Sequence, residues 1–61
     1  MSGANRTHVA SLVGKEVNVT YTDKNETKEV RGKLLRLDGR LAELTDARVW
    51  IPNIREIKPV E

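Results

Sequence analysis

The chain has 61 residues and a mass of 6.9 kDa, with 11 Lys and Arg against 9 Asp and Glu for a formal net charge of +2. That length holds one small domain, which buries roughly 60% of its unfolded surface and leaves no room for a deep substrate cavity in a single copy. The absence of cysteine excludes disulfides, thiolate zinc sites and cysteine nucleophiles, and with His8 as the only histidine a His-based metal site needs carboxylates or symmetry.

No apolar run approaches the ~20 residues of a membrane span. Met1 to Ala10 lack the apolar stretch of a secretory signal. The expectation is a soluble, cytoplasmic protein without membrane contact. Sixteen Val, Leu and Ile residues run along the chain, joined by Trp50 and Tyr21 and no Phe. This is too apolar for a disordered segment, and a small aliphatic core without staples leans on a partner or on self-association, so a homo-oligomer or a protein partner is expected.

The pattern divides the chain into a flexible tail over 1–6 and a single domain over 7–61. Thr7 to Val13 reads as a helical turn, with Val9, Leu12 and Val13 on one face and Gly14 as its stop. From Lys15 to Thr22 the chain alternates, with Val17, Val19 and Tyr21 on one side, as a half-buried strand does. Asp23 to Glu26 is a polar hairpin tip. Thr27 to Leu37 reads as a longer strand. Val30, Gly32 and Leu34 share one parity while Leu35 and Leu37 have the other, which predicts a bulge or bend near Gly32 to Leu35. Asp38-Gly39 is the strongest turn signal, and Arg40 to Thr45 follows as a third strand. After the Asp46-Ala47 turn, Arg48 to Ile51 places Val49 and Ile51 opposite in parity to Trp50. Pro52 blocks the ladder, Asn53 to Arg55 suits a 3₁₀ turn, and Glu56 to Val60 is a short last strand. Five short strands with tight turns make an all-β rolled sheet or barrel.

This order of elements resembles the small SH3-like barrels, and among them the Sm-like family. Leu12-Val13-Gly14-Lys15-Glu16-Val17-Asn18-Val19 is similar to the start of an Sm domain, where a short helix passes through a Gly-Lys pair into the first strand. Val30-Arg31-Gly32-Lys33-Leu34 looks like the second strand with its Gly at the bend, and Leu37-Asp38-Gly39 like the approach to the next loop. Val49 to Ile57 resembles the common ending of strand, Pro-started 3₁₀ turn and strand. The resemblance implies a five-stranded SH3-like/Sm-like barrel with a short N-terminal helical turn, RNA binding, and rings closed by pairing strand 4 of one copy with strand 5 of the next. Two departures weaken a uridine site. The Asn that family members place four residues after the Asp is Ala42 here, and their Ile-Arg-Gly signature is Ile51-Pro52-Asn53.

Arg31, Lys33, Arg36 and Arg40 lie around the bend and the Asp38-Gly39 turn, where they suit phosphates of RNA or single-stranded nucleic acid, or an ordinary solvated rim. Arg48, Arg55 and Lys58 extend that surface or pair with Glu43, Asp46 and Glu56. Trp50, with Tyr21 as its sole aromatic companion, is a base-stacking platform or an interface anchor if it faces outward, and a core lid if it does not. His8 is a surface residue by default, and the three Asn-X-Thr sequons, at Asn5, Asn18 and Asn25, are chance without a secretory signal. No nucleophile, base and orienter come together in the sequence, and no cofactor or metal is implied. The SH3-like type II dihydrofolate reductases carry a Val-Gln-Ile-Tyr pore strand. The nearest stretch, Val49-Trp50-Ile51-Pro52, lacks the Gln and the Tyr. The expectation is a non-catalytic nucleic-acid-binding protein. The alternative is a protein-interaction or self-assembly module built on edge strands and Trp50.

Overall fold

The computed structural model describes residues 5–60. Asn5 caps a short helix, α1 (Arg6–Ala10), its Oδ1 accepting from the His8 backbone N–H at 2.8 Å. The expected tail over 1–6 lies outside the described residues for 1–4, and Asn5 and Arg6 are the cap and first residue of α1. The chain beyond Ala10 continues as turns, with Leu12 N–H on the Val9 carbonyl and Lys15 N–H on the Leu12 carbonyl. Val9 and Leu12 are buried as the periodicity predicts, but Val13 is exposed because helical spacing has ended before it. Gly14 stops the segment at φ +93°, a conformation an L side chain resists.

Strand β1 (Glu16–Asp23) turns its β-branched Val17 and Val19 into the core, and Tyr21 packs against it half-buried. It meets β2 (Glu26–Asp38) through a two-residue turn, tighter than the expected four-residue tip. Lys24 and Asn25 both have positive φ, 53° and 67°, the type I′ pattern that matches strand twist.

β2 carries the architecture. Its first part pairs with β1 from Glu26 to Lys33, and from Leu34 to Asp38 it pairs with β3 (Leu41–Leu44). The register slips between Leu34 and Arg36, so Leu35 is the extra residue of a bulge. Before it, Val30, Gly32 and Leu34 face inward; after it, Leu37 does, opposite the buried Ala42. The two parities seen in the sequence are thereby reconciled. The irregularity sits at Leu35, the far end of the expected stretch. Gly32 remains in regular register, where an added Cβ would make only an ordinary 3.8 Å contact with Leu44. β2 turns into β3 over Gly39 and Arg40, and of these two only Gly39 has positive φ, at 62°.

β4 (Arg48–Trp50) pairs with β3, and a 3₁₀ turn over Ile51–Asn53, with Pro52 near its start, leads into β5 (Ile54–Pro59). That turn begins two residues earlier than the sequence suggests. The shift places Ile54 in β5 as one of the most deeply buried side chains.

The five strands form one antiparallel sheet in the order β4-β3-β2-β1-β5. β4 and β5 stand at its two ends and do not pair with each other. Val49 from one end and Ile57 from the other join the same core cluster, so the sheet curls over a single core without closing. Leu34, from the strand both halves share, is fully buried. Burying such a side chain contributes roughly 1.5–3 kcal/mol. No buried side-chain polar atom lacks a partner among the described residues, so this small core carries no uncompensated desolvation there. No helix among them is long and apolar enough to cross a membrane.

Candidate nucleic-acid interface

The bulge decides where the cations point. Arg31 and Lys33 have odd parity and Arg36 has even parity, yet all three are exposed, because Leu35 resets the alternation between them. They fall in two groups rather than along one rim. Arg31 and Lys33 belong to the β1 side, opposite Asn18 and Glu16 respectively. Arg36 belongs to the β3 side, opposite Glu43, and Arg40 ends the turn that leads into β3.

Partners separate them further. Arg31 Nε donates to Glu16 at 3.1 Å, and Arg36 Nε donates to Glu43 at 3.2 Å. Glu43 raises the Arg36 pKa above its ordinary value, first through this hydrogen bond and then through its charge, with Asp38 adding a smaller push. Lys58 pairs with Glu56 at 3.7 Å. Arg48 and Arg55 therefore take none of the carboxylates suggested for them, and with Lys33 and Arg40 they carry no ion pair among the described residues.

Trp50 is exposed, at 44%, while its neighbours Val49 and Ile51 are buried, the outward parity read from the sequence. It sits on the end strand β4 opposite Leu41, two residues along from Arg48 on the same face. The Ile51 N–H bonds the Arg40 carbonyl at 2.7 Å, which brings the Arg40 turn beside the Trp50 strand. A shallow depression of about 290 Å³ is lined by Trp50, Tyr21, Leu41, Arg48 and Asn53, among others. The two aromatic residues of the chain thus reach one place from β1 and β4. A second, wider depression of about 510 Å³ includes Leu35, Glu43 and Ala47, and Arg48 borders both.

Arg6 is a further cation at this end. Its Nε donates to the Gly39 carbonyl at 3.1 Å, which fixes α1 to the β2–β3 turn. Nothing in the sequence links positions 33 residues apart, so no local signal points to it. Asn53 was legible only as a turn residue after Pro52, and its place beside Trp50 depends on the curl of the sheet. His8 lies at the surface, Nε2 3.4 Å from the Ile57 carbonyl. No three His, Cys, Asp or Glu side chains among the described residues are grouped to hold a metal ion.

No family model matches the chain, and neither a curated protein nor a solved structure is significantly similar to it.

Proposed function

We propose that this protein is a small SH3-like, Sm-like barrel that binds RNA or single-stranded nucleic acid without catalysis and with weak sequence readout. The element order supports the fold assignment: a short helix, a long irregular second strand, a 3₁₀ turn before the last strand, and the strand sequence β4-β3-β2-β1-β5. The observation that carries the functional reading is the depression shared by Trp50, Tyr21 and Arg48. An exposed indole is a platform for a base, and a flanking guanidinium suits its phosphate. Arg40 lies beside the Trp50 strand through its carbonyl, which accepts from the Ile51 N–H, Arg36 stands across Glu43 from Arg48, and Lys33 adds charge farther off, on the β1 side. Ala42 is fully buried between Leu37 and Val49, so the base-stacking Asn of Sm-like proteins has no counterpart there and no uridine preference is proposed.

Titration with mixed-sequence single-stranded RNA at two salt concentrations, followed by Trp50 fluorescence, tests the reading. Binding should weaken steeply with salt, and the emission should change on saturation. Absence of binding at low salt overturns it.

A second reading is favoured by the unpaired ends of the sheet. β4 and β5 each present an open edge, with exposed Trp50 on one of them, so strand addition between copies is geometrically open. Sedimentation of the free protein separates the two readings, since a strict monomer excludes self-assembly.

A further inference from the structure

Three arginines share an arrangement that charge counting hides. Arg6, Arg31 and Arg36 each use Nε as the bonded donor, to the Gly39 carbonyl, Glu16 and Glu43 respectively. None has a hydrogen bond from its terminal Nη atoms among the described residues. A guanidinium held by Nε keeps its paired Nη edge outward. That edge is the one that matches two oxygens of a phosphate.

Arg36 is where this bears on the proposed site. Its partner Glu43 is only 21% exposed while Arg36 is 67% exposed, so the acid is the fixed member and the guanidinium the presented one. The strand register sets Glu43 directly between Arg36 on β2 and Arg48 on β4. One carboxylate thus stands between two guanidinium-bearing positions about 10 Å apart, two strand spacings. Glu43 and Arg48 also line the same depression. The other charged group acting on Arg36 is Asp38, and it forms no ion pair with it.

We propose that Glu43 is a positioning residue for phosphodiester binding: it locks Arg36 by Nε so that the Nη edge takes a backbone phosphate bidentately beside Arg48. This inference rests on the nucleic-acid reading above and adds a sign to it. If surface charge alone governed binding, removing the Glu43 carboxylate would tighten binding of a polyanion. With Glu43 as the clamp, removing it weakens binding although the net charge becomes more positive.

The experiment uses fluorescently labelled mixed-sequence single-stranded RNA and anisotropy titrations between roughly 50 and 200 mM salt. Wild type, Glu43→Ala, Glu43→Gln, Arg36→Lys and Arg36→Ala are compared, each first shown by thermal unfolding to be folded. The expected result is a roughly threefold to tenfold loss of affinity for Glu43→Ala, the size of one net hydrogen bond. Glu43→Gln, which keeps an acceptor oxygen, recovers much of that loss. Arg36→Lys falls close to Arg36→Ala, because a lysine keeps the charge and loses the fork. Tighter binding by Glu43→Ala, or a wild-type affinity for Arg36→Lys, overturns the positioning role while leaving nucleic-acid binding intact. Failure of the wild type to bind at low salt instead removes the reading beneath it.

Discussion

The two halves of the sheet share β2 and a core, yet their outer faces are composed differently. On the β1–β2–β5 side the polar groups answer one another: Asn18 with Glu29, Glu16 with Arg31, Asp23 with Lys28 and Glu56 with Lys58. Among the described residues, the β2–β3–β4 side carries exposed Leu35 and Trp50, Arg40 and Arg48 without ion pairs, and one ion pair, Arg36 with Glu43. Lys33 and Arg55 on the β1–β2–β5 side stay outside its pairs among the described residues, so unpaired cations by themselves do not tell the two faces apart. What does is the exposed apolar surface of Leu35 and Trp50 beside the cations of the β2–β3–β4 side, and this asymmetry, more than the net charge of +2, marks the candidate interface.

Five substitutions test the contrast. The largest effect belongs to Leu34→Ala in the strand common to both halves, where a fully buried side chain leaves a cavity. Stability should drop by about 2–5 kcal/mol in urea unfolding, enough to unfold a marginal domain. A loss below 1 kcal/mol would mean the halves do not depend on one core. Next comes Trp50→Ala, which should weaken single-stranded RNA binding by about 1–3 kcal/mol while the unfolding midpoint barely moves. The reverse outcome, lost stability with retained binding, would recast Trp50 as a structural lid. Gly14→Ala should cost about 1–2 kcal/mol with no clash to blame, because at φ +93° nothing lies within 4 Å of the added Cβ. The smallest effects separate the faces directly. Arg48→Ala should lower the salt slope of RNA binding by about 0.7, whereas Arg31→Ala, on the matched face, should leave both slope and stability nearly unchanged. Equal slopes for the two variants would erase the distinction.

Much of this was readable in the chain. Alternation in Val17, Val19 and Tyr21 and the opposed parities of Trp50 and its neighbours are local features that periodicity reports, and Gly39 marks the next turn, though its two residues are Gly39-Arg40 rather than Asp38-Gly39. The dual parity of the second strand even announced the bulge, though it could not choose Leu35 over Gly32, since that choice depends on where β1 ends its pairing and β3 begins. The extent of α1 was misjudged at Val13, where turns rather than helix complete the docking onto Leu34, the Gly14 N–H meeting the Leu34 carbonyl at 2.8 Å. The candidate site was legible as residue types but not as a place. Arg6 reaching Gly39, Tyr21 meeting Trp50 and Glu43 choosing Arg36 over Arg48 are decided by curvature and cross-strand register, which no single segment encodes.

The extra residue at Leu35 also sets a rule for how this chain can change length. Losing that one position from β2 would return the strand to unbroken alternation, with Leu34 and Leu37 still inward and Arg36 still outward, and would remove only the local bend. A single-codon deletion there would therefore act like dropping a blank from a message, leaving every downstream side chain on its own side. Descendants of this sequence are free to lengthen the Lys24-Asn25 tip, whose residues lie beyond the paired core. At Leu35 the count can fall by one with no second change, because the bulge holds the one residue that the alternation does not use.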